Sequence, residues 1–276
     1  DMLKNGKCFK LVTTLHGTDI TLVGTDPGFF RLTKYAMESS DAVTSVSQWL
    51  TEETQREFKL SVPVRTIYNF INLDKFQTHS VDRCNLAGEG EKIVMHISNF
   101  RPVKRVTDVV RAFKKISDRV NARLIMVGDG PERLSAVGVA RQLGISDRIK
   151  YLGNNENIEM ILPCADLVFQ PSEHESFGLV ALEAMACGVP VLGTDSGGVR
   201  EVVVSGETGY LCEVGDIETM AARAIDILTN DQLARDMGAR GRKHAETHFA
   251  RGPIVSQYEA LYRELLDRKC NGGKGA

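Results

Sequence analysis

Residues 166–195 read DLVFQPSEHESFGLVALEAMACGVPVLGTD. A short apolar run ending in QPS, an apolar stretch FGLVALEAMACG and a second run PVLGTD spell strand, helix, strand. One feature disturbs the pattern. Glu175 and Glu183 stand either side of seven residues, and Glu183 falls inside LVALEAMA, where a core helix packs.

The same alternation continues in both directions. Upstream come KIVMHISNF (strand), a helix carrying Val106, Val109, Val110, Phe113 and Ile116 at helical spacing, ARLIMVG (strand), ERLSAVGVARQLG (helix), RIKYLG (strand) and ENIEMILPCA (helix). Downstream follow VREVVV (short helix), TGYLCE (strand), a helix from about Ile217, and a last segment whose apolar helical face is Ile254, Val255, Tyr258, Leu261, Tyr262 and Leu265. Strands alternating with helices require right-handed crossovers and predict an α/β fold of doubly wound parallel sheets. A first, smaller unit reads KLVTTLHG (strand), FFRLTKYAMESS (helix), DAVTSVS (strand), SQWLTEETQREF (helix with Ser47 as N-cap) and VRTIYNFI (strand). The polar stretch QTHSVDRCNLAGEGE separates the two. The expected organisation is 1–85, a partial N-terminal Rossmann-like domain; 86–250, a complete Rossmann-like domain; and 251–276, a C-terminal helix and flexible tail. Three strands make a thin sheet for an independent core, so the front of the first domain is expected to be missing.

In open parallel sheets ligands bind outside the carboxyl ends of the strands. Glu175 follows such an end, and Glu183 lies two turns into the next helix, its side chain leaning back towards the helix start. Between them, Phe177, Gly178 and Leu179 present backbone N–H groups at a helix N-terminus, where an anion gains hydrogen bonds and the helix dipole. Carboxylates beside a phosphate are tolerated if they face hydroxyls. Phosphate in the middle and hydroxyl-rich rings at both ends describe a nucleotide-diphosphate sugar. The plainer alternative makes Glu175 a cap and Glu183 a solvated or ion-paired helix residue.

The stretch ESFGLVALEAMACGVPVLGTDSGGVREVV resembles the E-x7-E signature of retaining glycosyltransferases of family 4, which have the GT-B fold; the likeness extends to VGDGPERL, NFRPVKRV and LHGTDI. Within that family the chain looks most like members of bacillithiol biosynthesis that move N-acetylglucosamine from UDP-GlcNAc to L-malate, a small hydroxy acid. The resemblance implies that Glu175 holds donor-sugar hydroxyls, Glu183 the ribose hydroxyls, and Phe177, Gly178 and Leu179 the phosphate and sugar through their backbone. It implies catalytic roles for His16, Lys104, Arg101 and Glu175. Lys104 and Arg101 follow a strand, where they can neutralise a diphosphate leaving group. Arg101 is displaced by two residues from the family's Arg, whose place Asn99 takes, so Asn99 becomes an acceptor candidate with Thr14, Thr18 and Asp19. A different sugar or acceptor, UDP-sugar binding without turnover, and a sugar-nucleotide epimerase stay open.

The rest of the sequence narrows the field. VGDGPERL fails as a dinucleotide fingerprint, because Arg133 stands where a third glycine belongs, and reads as a tight turn. SGG at 196–198 also reads as a turn. D-x-D and G-x-S-x-G do not occur, and HAETH misplaces its Glu for a zinc protease. A metal-independent enzyme without cofactor is expected. The formal net charge of −2 gives no sign of nucleic acid as partner. No apolar run is long enough to span a membrane, and stable membrane association is not expected. Scattered cysteines (Cys8, Cys84, Cys164, Cys187, Cys212, Cys270) without C-x-x-C read as reduced thiols of a cytoplasmic protein. A homo-oligomer is compatible with all of this.

Overall fold

The computed structural model describes residues 9–18, 20, 26–78 and 86–268. Contacts divide the chain into one unit of residues 1–70 with 251–276 and another of 71–250. The sequence reading ends the first domain at 85 and sets the last helix apart. The division instead follows Phe70, because Ile71 donates its N–H to Phe249 O (2.9 Å) and bridges to Ala250. Residues 79–85, within the expected linker, lie outside the described residues.

In the first unit β1 (Val12–Leu15), β2 (Ala42–Ser45) and β3 (Val64–Thr66) form a parallel sheet in that order. Helix α1 (Pro27–Glu38) starts with proline at its first position and Asp26 accepting from Gly28 N; α2 (Gln48–Phe58) starts on Ser47, whose Oγ accepts from Leu50 N at 3.0 Å. Helix α10 (Arg251–Asp267) belongs to this unit and buries Ile254, Leu261 and Leu265, while Tyr262 of its expected apolar face is exposed. Arg65 Nη1 meets Glu264 Oε2 at 2.8 Å.

The second unit holds β4 (Lys92–Ile97), β5 (Ala122–Val127), β6 (Ile149–Gly153), β7 (Leu167–Gln170), β8 (Val191–Thr194) and β9 (Gly209–Cys212), all parallel, in the order β6-β5-β4-β7-β8-β9. Its helices are α3 (Val106–Ser117), α4 (Arg133–Gln142), α5 (Ile158–Ile161), α6 (Leu179–Ala186), α7 (Val199–Val202), α8 (Ile217–Thr229) and α9 (Asp231–His248). The helical stripe Val106, Val109, Val110, Phe113 and Ile116 is buried, as its spacing predicts. Strand β4 is buried from Ile93 to Ile97, as a central strand covered on both faces must be. Helix α5 is a single turn, since Pro163 follows and tightens the chain into a 3-10 turn. Numbered within the unit, the strand order is 3-2-1-4-5-6, whose direction of winding reverses between β4 and β7. That reversal leaves a crevice at the carboxyl ends of these two neighbours.

Candidate active site

Two loops meet at the crevice. The chain leaving β4 is shaped by His96, which is wholly buried. Its Nδ1 lies 2.8 Å from Phe169 O on β7, and its Nε2 lies 2.8 Å from Ser98 Oγ. A carbonyl only accepts, so Nδ1 carries the proton and Nε2 accepts from the serine. Burial pushes the imidazole pKa down to about 4, the Phe169 carbonyl opposing and the Lys104 charge adding to the shift. His96 is thus a neutral strut that ties the start of this loop to β7. Phe100 and Arg105 both have positive φ (40° and 48°), and between them Pro102–Lys104 form a 3-10 turn that points the chain back to the crevice. The VGDG turn supports it. A Cβ on Gly128 would lie 1.8 Å from Ser98 O, and one on Gly130 would lie 2.1 Å from Asn99 O. Both glycines also have positive φ (118° and 155°), so they serve close backbone packing of a turn.

The chain leaving β7 is pinned from two sides. Glu173 N donates to Val103 O (2.8 Å), joining the two loops. Gly198 N donates to Glu175 O (2.6 Å), and a Cβ at Gly197 or Gly198 would strike the Glu175 or Ser176 carbonyl. Thr194 Oγ1 donates to Ser172 O, and Ser196 Oγ to Glu173 O. SGG is therefore a turn that braces the loop carrying Glu175. On that base Glu175 Oε1 accepts from Lys104 Nζ (2.7 Å) and Ser172 Oγ (2.8 Å). The lysine and glutamate side chains are 19% and 17% exposed, covered enough for the pair to hold against solvent screening. Gly178 (φ 97°) is the N-cap of α6, and its missing side chain opens the helix start. Lys104, Gln170, Glu175, Gly178, Leu179 and Val199 line a cavity of about 200 Å³ there.

Glu183 sits on the second turn of α6 among buried Ala181, Leu182, Ala184, Met185 and Ala186, and is itself 9% exposed. Among the described residues its carboxylate has no hydrogen-bond partner. Burial raises its pKa to about 7, with Lys75 pulling it down and Glu159 pushing it up. Lys75 Nζ and Glu159 Oε2 are 3.3 Å apart.

The structure thus gathers Lys104, Glu175, Gly178 and Leu179 at one cavity. Glu183 is on the same helix but does not line it. The Phe177 ring is in the core, edge-on to Phe249 at 5.6 Å, so its side chain is structural. Asn99 and Arg101 are exposed on the turn after β4 and do not line the cavity. In the first unit, His16 and Thr18 are exposed after β1, while Thr14 on β1 is half-buried and its hydroxyl accepts from Thr44 Oγ1 (2.8 Å). Asp19 lies outside the described residues. Among the described residues no group of three His, Cys, Asp or Glu is placed to hold a metal ion. Sequence reasoning missed Ser172, His96, Lys75 and Glu159. Ser172 had a signal, a hydroxyl three residues before Glu175 at a strand end. Lys75 and Glu159 are too far apart in sequence to announce each other.

A family model for glycosyl transferases group 1 matches residues 81–244, and one for glycosyltransferase family 4 matches residues 2–75. The chain is 47% identical over 270 residues to N-acetyl-alpha-D-glucosaminyl L-malate synthase from Bacillus anthracis, covering 97% of this chain and 71% of that protein. Among solved structures, sucrose-phosphate synthase from Thermosynechococcus elongatus superposes with a TM-score of 0.84 at 27% identity, over 96% of this chain and 70% of that one. Anabaena Alr3699/HepE, solved with UDP and glucose, shares the fold with a TM-score of 0.84 at 23% identity, over 92% of this chain and 72% of that one. With a family model spanning most of the second unit and a close relative aligned along nearly the whole chain, the protein belongs to the glycosyl transferases group 1 family and has the GT-B fold.

Proposed function

We propose that this glycosyltransferase moves N-acetylglucosamine from UDP to L-malate with retention of configuration, the reaction that contributes to bacillithiol biosynthesis. The sugar and acceptor rest on the relative named for that product. The observation that carries the donor site is the Lys104–Glu175 pair at the open start of α6.

On this reading a bound donor divides the pair. The diphosphate accepts from Lys104 Nζ and from the α6 amides, and Glu175, still oriented by Ser172, accepts from sugar hydroxyls. Glu183 takes the ribose hydroxyls. Arg101 adds positive charge from the turn after β4, and the Phe177 backbone adds a further donor. As the glycosidic bond breaks, Lys104 and the helix dipole stabilise the charge growing on the diphosphate. A double displacement needs a carboxylate beneath the anomeric carbon. Glu175, held by Ser172 at the cavity wall, is read as a partner of sugar hydroxyls and is not given that place. Departure and attack on one face therefore account for retention, the leaving phosphate taking the acceptor's proton. His16, Thr14, Thr18 and Asn99 are the acceptor candidates.

The reading needs no metal ion, because lysine and helix supply the positive charge. It places the enzyme in the cytoplasm. Cys164, Cys187 and Cys212 are buried and form no disulfide among the described residues, while Cys8, Cys84 and Cys270 lie outside the described residues. No helix among the described residues is long and apolar enough to cross a membrane. The test is UDP-GlcNAc consumption with and without L-malate, with EDTA present, and the anomeric configuration of the product by NMR. Malate-dependent UDP release with an α-linked product is expected. Equal consumption without malate, an inverted product or loss of turnover in EDTA would each overturn the corresponding part.

A further inference from the structure

Lys104 reaches the cavity from a turn whose next residue sits in an unfavourable backbone conformation. That residue, Arg105, joins the 3-10 turn Pro102–Lys104 to α3: its N–H donates to Pro102 O (3.0 Å), and its carbonyl accepts from Asp108 N (2.9 Å). Arg105 makes this junction in the left-handed region (φ 48°, ψ 43°), where a residue with a Cβ stays only if its surroundings hold it. In the right-handed region the turn would run straight on into α3 and carry Lys104 away from Glu175, whose Oε1 now lies 2.7 Å from its Nζ.

The group that holds Arg105 is Asp108, on the first turn of α3. The aspartate side chain is 4% exposed, and both its oxygens accept. Oδ2 takes Nε and Nη2 of Arg105, each at 2.6 Å, and Oδ1 takes Nη1 of Arg111 at 2.9 Å. Arg111 by itself would neutralise one buried carboxylate. The second guanidinium contributes geometry, because its two donors fix the direction of the Arg105 side chain. The same guanidinium lies against Gly215 in the turn before α8, where a Cβ would come within 3.1 Å of Nη2.

We propose that Asp108 is a positioning residue that acts through Arg105: by fixing that residue in the left-handed region, it delivers Lys104 to Glu175 and to the donor's diphosphate. This rests on the donor-site reading of Lys104.

Steady-state measurement of UDP release tests it. Arg105→Ala and Arg105→Gly both delete the guanidinium, but only glycine enters the left-handed region without cost. Arg105→Ala is expected to lower kcat about tenfold, and Arg105→Gly to recover most of that loss. Asp108→Asn keeps the size of the side chain and removes its charge; it is expected to lower kcat severalfold with Arg105 present and by less than about twofold in Arg105→Gly, where no guanidinium remains to be held. Because the effect runs through Lys104, adding Arg105→Ala to Lys104→Ala should lower the residual rate by less than about twofold. A merely structural role would lower the rate whether or not Lys104 is present. Equal rates for Arg105→Ala and Arg105→Gly, an Asp108→Asn variant as active as the parent, or a full loss when Arg105→Ala is added to Lys104→Ala each overturns the inference alone. A Lys104→Ala variant as active as the parent overturns the donor-site reading, and this inference with it.

Discussion

Lys104 and Glu175 meet through a 2.7 Å hydrogen bond with more than four-fifths of each side chain covered. Taking away one partner strands the other's charge, and on the proposed reaction loss of Lys104 removes positive charge from beside the leaving group. Lys104→Ala is expected to lower kcat at least about a hundredfold, the loss typical of one transition-state donor, in steady-state assays of UDP release. An unchanged rate would refute the role. Ser172→Ala, which leaves the ion pair in place, is expected to cost only about 1 kcal/mol in kcat/KM. The placing of Glu175 at the cavity was legible, because it follows a strand end at the start of an apolar helix, whereas Glu183 lies further along that helix and does not line the cavity. What Glu175 touches was not, because Lys104 and Ser172 reach it from separate stretches of the folded chain.

At the scale of elements, the loops that carry the site depend on glycine. Gly128→Ala would force a methyl to within 1.8 Å of Ser98 O at a φ of 118°, with no side chain to give way. A loss of roughly 2–3 kcal/mol in urea denaturation is expected, together with weaker UDP binding as the turn bearing Lys104 shifts. The alternation of strands and helices was readable from apolar spacing, and so was the buried stripe of α3. Boundaries were less so. The helical stretch from Ile217 is two helices, because Asn230 stops α8 and caps α9 by accepting from Leu233 N (3.0 Å). Asn230→Ala should lower stability by about 1 kcal/mol in the same assay. Strand β3 stops at Thr66, well short of the apolar run that suggested it. Apolar composition marks burial, but strand length depends on which neighbour supplies hydrogen bonds.

For the molecule as a whole, two buried groups of the second unit set opposing responses to pH. Glu183, raised from 4.5 to about 7, favours the folded state fully below pH 4.5 and loses that contribution as pH rises to 7. His96, lowered from 6.5 to about 4, favours it fully above pH 6.5 and loses that contribution as pH falls to 4. Each is worth about 3 kcal/mol across its window, and the slopes offset between pH 4.5 and 6.5. Glu183→Gln removes one slope. Its unfolding free energy should climb between pH 4.5 and 6.5 and at pH 8 exceed that of the parent by up to about 3 kcal/mol, measured by urea titration at each pH. A variant that is no more stable than the parent at pH 8 would contradict this. Parallel winding followed from the alternation of elements, yet nothing in a linear pattern told that β7 returns beside β4, or that the last helix joins the first unit.

That return of α10 has a consequence for biosynthesis. A ribosome will have finished every residue of the 71–250 unit while the helix containing Leu261 and Leu265 has not yet been translated. The sheet of β1, β2 and β3 can therefore acquire α10 only after every residue of the 71–250 unit has been synthesised. Until then the surface on which Ile254, Leu261 and Leu265 are buried lacks that helix, and a nascent chain is open to mispairing there.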